Sequence, residues 1–311
     1  MISTHRRVFG LPLSLRVLLA LLCLGALYYL LITERAGERL FFAAKTAFYA
    51  DSWEGRSVLL REYRATVQAQ PVAGVEDDLS GLTFDSERGH LWAVINAPPR
   101  LLALDTNGQV LHSSELLGFQ DTEAIAYIGD GLLAVVEERR QQVVMFPAPD
   151  TAMLINREGL ASLQLDLDAS EKNDRYEGLG YDAVNDRLYL VKERRPMAII
   201  EIDGLKSLLQ GTINLQIRNR HDLVRDKVFS TDLSGVAFDP ATRNMLLLSD
   251  ESKLVMEIHE GQRVVAFRSL TSAFAGLEEA VPQAEGLTID NEGNLYLVSE
   301  PNLFYRFSPI N

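Results

Sequence analysis

Five stretches of this chain repeat one pattern, and that repetition restricts the available folds more than any other feature. They are "LSGLTFDSERGHLWAVIN" from Leu79, "TEAIAYIGDGLLAVVE" from Thr122, "YEGLGYDAVNDRLYLVKE" from Tyr176, "LSGVAFDPATRNMLLLSD" from Leu233 and "AEGLTIDNEGNLYLVSE" from Ala284. Each opens on an acid or serine followed by a small residue. Alternating apolar positions, a Gly-, Asn- or Asp-rich turn and a second apolar run come next. Alternation with period two on both sides of such a turn predicts an antiparallel strand pair. The starts recur roughly every 40–60 residues, room for four short strands per unit. Residues 100–116 and 253–270 read as the outer hairpins of the first and fourth units.

Radially repeated four-stranded sheets of this period predict an all-β fold, a five-bladed β-propeller. The last unit offers only one strand after its hairpin, in "NLFYRFSPIN", and the orphan apolar stretch "SVLLREYRATVQA" at 57–69 supplies the missing one. An N-terminal strand would then close the ring by pairing both ends of the domain, which is expected over residues 57–311.

In such a fold the first strand of each blade lines the axis and the second returns beside it. The start of one and the end of the other therefore meet at one mouth. The starting positions are Ser80, Glu123, Glu177, Ser234 and Glu285; the closing positions are Asn96, Glu137, Glu193, Asp250 and Glu300. The small residues that follow each start (Gly81, Ala124, Gly178, Gly235, Gly286) suit close backbone approach at a crowded axis. Convergent carboxylates repel unless they protonate or bind a cation. A set of hard oxygen donors without Cys or His points to Ca²⁺. The expected ligands are Glu123, Glu177 and Glu285, with Asp250, Asn96, Glu137, Glu193 and Glu300 as further candidates; taken singly, closing acids also read as solvated strand ends. Asp78, Asp121, Asp174 and Asp232 read as loop-capping residues.

Before the repeats, Val17–Thr33 is uncharged and apolar, about 25 Å long as a helix and just enough for a thin bilayer. It lacks a small-residue cleavage site, so it reads as an uncleaved transmembrane anchor. Arg6, Arg7 and Arg16 precede it and no acid occurs before Glu34, which places residues 1–16 in the cytoplasm and the domain outside it, at a plasma or inner membrane. Residues 34–56 form a juxtamembrane spacer whose aromatics either meet the membrane interface or pack on the domain. The net charge of −13 argues against a nucleic-acid partner. The single cysteine, Cys23, rules out an intramolecular disulfide within this sequence.

With the anchor, "EDDLSGLTFD", "DTEAIAY", "YEGLGYD" and "AEGLTID" resemble the SdiA-regulated (YjiK-like) family of bacterial proteins. The resemblance implies a five-bladed propeller distantly similar to NHL-repeat proteins, a shared calcium site and no established activity. The Glu of "YEGL" and "AEGL" is also similar to the metal-binding Glu of calcium-dependent lactonase propellers, which have six blades and further Asn and Asp ligands without counterparts here. No nucleophile elbow, zinc motif or phosphate loop occurs. Two functions follow: a tethered calcium-binding interaction module that engages a protein or small anion at the acidic face, or a calcium-dependent hydrolase of lactones or phosphoesters. The insert "NLQIRNRHDLVRDKVFSTD" at 214–232 carries Arg218, Arg220, His221 and Arg225, placed here as a flap over the channel mouth that meets an anionic ligand, or as a solvated loop.

Overall fold

A computed structural model describes residues 12–33, 36–165, 176–194, 196–212, 214–260, 263–272 and 276–310. The expected Arg6, Arg7 and Asp174 lie outside them. Strand pairs form where the repeats alternate: Leu79–Asp85 with His90–Ile95, Thr122–Gly129 with Leu132–Glu137, Tyr176–Asp182 with Arg187–Lys192, Gly235–Asp239 with Asn244–Ser249, and Gln283–Ile289 with Leu295–Glu300. Each pair is the inner half of one of five sheets, numbered here as blades 1 to 5.

Inner strands are buried on both faces because each sheet is sandwiched between its neighbours. Accordingly the core divides into five clusters, one per blade boundary; Trp92 and Val94 of blade 1, for example, meet Ile125, Val135 and Phe146 of blade 2. The turns at the face away from the acids are held by the Asp that ends several inner strands. Asp85 accepts from the Glu87 and Arg88 amides (both 3.0 Å), and Asp182 from Val184 (2.9 Å) and Asn185 (3.2 Å). Asp239 and Asp290 repeat the arrangement.

Ring closure follows the expected route. Tyr63–Pro71 adds antiparallel to Leu303–Pro309 and completes blade 5. Just ahead of it Leu60 is fully buried, and the Tyr63 hydroxyl donates to the Gly293 carbonyl at 2.6 Å. The segment is also tied to blade 4, where buried Glu257 accepts from the Ser57 hydroxyl (2.7 Å) and the Val58 amide (2.8 Å). Blade 1 has an extra strand: Leu154–Asn156, from the loop leading to the last strand of blade 2, pairs in parallel with Val110–Leu117.

Before the propeller, an apolar helical segment spans Leu13–Leu31, long enough to cross a bilayer and with none of its surface buried against the protein. A second helix, Ala36–Phe48, follows and touches blade 4. The spacer aromatics divide: Phe42 stacks on Phe229 (4.7 Å between centroids) and Trp53 is buried, whereas Phe41, Phe48 and Tyr49 are exposed.

Candidate metal site at the acidic mouth

At the axis the inner strands approach backbone to backbone. A Cβ on Gly178 would stand 2.7 Å from the Gly235 Cα, and one on Gly286 would stand 2.7 Å from the Leu82 amide nitrogen. Just past these positions Leu82, Ile125, Leu179, Val236 and Leu287 turn inward and are all buried. The space between them is about 10 Å³, barely the room of one water. The axis is therefore closed by an apolar plug, and what lies above it is a cup with a floor.

That cup measures about 680 Å³. Its lining includes Glu123, Glu177 and Glu285 from the strand starts and Asn96, Glu193, Asp250 and Glu300 from the strand ends, together with Asp232 and Glu251. Arg194 is the one cation among the described lining residues, and it pairs with Glu193 and with Glu251 (3.0 Å). Burial over the apolar floor is the main reason the three inner glutamates resist ionising, with neighbouring carboxylates adding to it. The Glu177 carboxyl is pushed up to about 9 by burial, then by Glu123 and Glu285. Glu285 rises to about 8 and Glu123 to about 7, again by burial first. Hydrogen bonds relieve the latter two in part, from Gln283 Nε2 to Glu285 (3.0 Å) and from Ser80 to Glu123, which also accepts from Asn96 Nδ2 (2.7 Å).

Among the described residues, one group of three carboxylates has oxygens that all lie within 4.8 Å of one another, Asp121, Glu123 and Glu138, and Asp121 also pairs with Arg139 (2.7 Å). Two of these were not expected as ligands. Glu138 holds the closing position of blade 2, since its amide bonds to the Asp121 carbonyl (2.9 Å) as that of Asn96 bonds to Asp78 in blade 1 (3.1 Å). Glu137, the candidate in the sequence, is one residue early. Its side chain turns to the other face of the sheet, fully buried, and is held by Arg157 (2.7 Å), Arg140 (2.9 Å) and the Gln120 amide (2.9 Å). A carboxylate so neutralised is a structural ion pair; neither it nor Glu138 lines the cup, but Glu138 lies within 4.8 Å of the Glu123 carboxylate, which does. A one-residue shift exchanges the two faces of a strand, so the adjacent "EE" hid the difference. Asp121 enters its strand with a left-handed backbone, as does Asp78. Asp232 caps as expected, accepting from the Asp250 (3.0 Å) and Glu251 (3.1 Å) amides.

The basic insert is not a flap over the mouth. Gln216–Asn219 is the outermost strand of blade 3, and His221–Asp226 is a short helix beyond it. Arg218 and Arg220 both reach buried Glu201 (3.2 and 2.6 Å), Arg225 pairs with Asp226 (2.7 Å), and His221 is exposed. None of the four lines the acidic cup. The three arginines serve carboxylates of their own blade and of the helix that follows it.

Five sheets around a plugged axis, with a cup of carboxylates at one mouth, define a five-bladed β-propeller of acidic-mouthed type. The chain belongs to the SdiA-regulated family, whose model matches residues 55–308. Among solved structures it is similar to a chain of a nidogen/laminin complex (14% identity, 72% of this chain and 73% of that one, TM-score 0.46). It is also similar to the virginiamycin B lyase of Staphylococcus aureus (12% identity, 76% and 68%, TM-score 0.43) and to a streptogramin B lyase (8% identity, 80% and 98%, TM-score 0.44).

Proposed function

We propose that this protein is a membrane-tethered, extracytoplasmic propeller that binds a calcium ion in its acidic cup and acts as an interaction module. The observation that carries the reading is the convergence of Asp121, Glu123 and Glu138 within 4.8 Å on the blade 2 side of the cup, where Glu123 is the one of the three that also lines the cup itself. Oxygens on opposite sides of a Ca²⁺ ion stand about 4.6–5.2 Å apart, so the spacing fits one shared ion. The donor set fits as well, because the described lining offers carboxylates and two amides, Asn96 and Gln283, with neither Cys nor His. Glu123 would be the shared ligand, with Glu177 and Glu285 on the axis side, Asp121 and Glu138 on the blade 2 side, and Asn96, Asp250, Glu193 and Glu300 able to complete the shell directly or through water. A bound Ca²⁺ supplies positive charge that joins several blades at once. The apolar segment Leu13–Leu31 supports tethering, and Arg6, Arg7 and Arg16, before it and in its first turn, support an outward-facing domain.

Titration calorimetry of Ca²⁺ into the full chain in detergent micelles tests this. Saturable binding with release of protons is expected, and the triple variant Glu123→Gln, Glu177→Gln, Glu285→Gln should lose it. A parent protein that takes up no calcium contradicts the proposal.

The roomy cup favours a second reading, a calcium-dependent hydrolase of lactones or phosphoesters, since a ligand of that size has space beside the ion. Turnover of such esters that stops on chelation and in the triple variant would select it over the interaction module.

A further inference from the structure

We infer that the helix Ala36–Phe48 lies on the membrane surface and holds the outer part of blade 4 against the bilayer; this rests on the tethering proposed above. The helix is amphipathic in the opposite sense to one that packs on a soluble domain, where the apolar stripe faces inward. Its partly buried positions are Arg39, Phe42, Lys45 and Thr46, spaced as one helical face. Phe42 stacks on Phe229 of blade 4 at 4.7 Å, and Arg39 donates to the Ser252 carbonyl at 3.2 Å. The outward side is apolar at every described exposed position. Leu40 is 72% exposed, Phe41 61% and Phe48 82%, with the alanines at 43, 44 and 47 between them.

Chain continuity names the occupant of that face. The segment Leu13–Leu31 has 19 residues, about 28 Å as a helix, close to the roughly 30 Å of a hydrocarbon core. Three residue steps separate Thr33 from Ala36, a reach of about 11 Å at most. The second helix thus starts at the headgroup level, where an apolar face sinks about 5–10 Å into the boundary and aromatic rings are at home. Lys45, on the face turned to blade 4, sits 5.7 Å from the Phe41 and Phe42 rings.

The test uses the full chain in phosphatidylcholine/phosphatidylglycerol vesicles whose acyl chains carry nitroxide quenchers. A fluorophore is placed on native Cys23, or on Phe41→Cys, Phe48→Cys or Val184→Cys in a Cys23→Ser background. Emission from positions 23, 41 and 48 should fall by about half or more, while position 184, on an exposed blade 3 turn, keeps its signal. Quenching at 23 but not at 41 and 48 overturns the surface helix and leaves the tether standing. No quenching at 23 removes the tether and the inference with it. Disulfide cross-linking between copies at 48, without quenching, assigns the face to a second copy and also overturns the inference.

Discussion

Glu123, Glu177 and Glu285 stand over an apolar floor among other acids, and without a cation they hold protons that an unfolded chain would release. Their carboxyls lie at about 7, 9 and 8, against 4.5 for a free glutamate. Between those limits the folded protein binds more protons than the unfolded one, so stability falls as pH rises. The contribution is complete below about pH 4.5 and lost as pH passes through the raised values. Calcium-free protein should therefore melt at a lower temperature at about pH 9 than at about pH 5.5, as read by scanning calorimetry in chelator, and Glu177→Gln should flatten the slope. A rising profile contradicts this origin of the shifts. The turn aspartates act differently. Asp182→Ala orphans two backbone amides and should cost about 1–3 kcal/mol in denaturant unfolding with calcium affinity unchanged. Acidic repeats in this chain thus have two meanings: the acid at the start of the first strand serves the cup, and the acid at its end builds the turn.

Strand pairing decides which acids reach the cup, and here the sequence was readable only in part. Matched starts exposed the five blades, and a missing fourth strand exposed the ring closure, because both follow from counting strands. The register of blade 2 was not readable: the turn Asp130–Gly131 and a bulge near Tyr127 move the closing position by one, from Glu137 to Glu138. Paired variants separate the two. Glu138→Gln should weaken calcium binding by about tenfold, the loss of one charged hard ligand. Glu137→Gln should leave affinity intact yet destabilise by about 1–3 kcal/mol, as Arg140 and Arg157 lose their anion. The outer strand Gln216–Asn219 was hidden for another reason. Four residues are too few to show a period, and their arginines answer to Glu201 and Asp203, distant in sequence. The spacer aromatics were visible in the sequence with both membrane and domain open to them, and only the packing of Phe42 on Phe229 shows which face is left over.

At the scale of the molecule, the propeller is a ring whose blades each bury their faces against two neighbours, so closure and axis matter to all of them. Leu60→Ala, at the entry to the closing strand, should cost about 2–5 kcal/mol and lower the single unfolding transition without splitting it. The plug leaves the cup closed at its base, which turns an axial channel into a site that ligands enter and leave by one mouth. Calcium joining Glu123 of blade 2 to Glu177 and Glu285 of blades 3 and 5 would brace the ring at the point where these acids otherwise hold protons. The most direct measurement is an anomalous-difference map from crystals grown with calcium. The expected result is one strong peak in the cup, about 2.3–2.6 Å from a Glu123 oxygen and absent in the triple glutamine variant. An empty cup at full calcium, or a peak only on the outer surface, would contradict a metal-binding propeller.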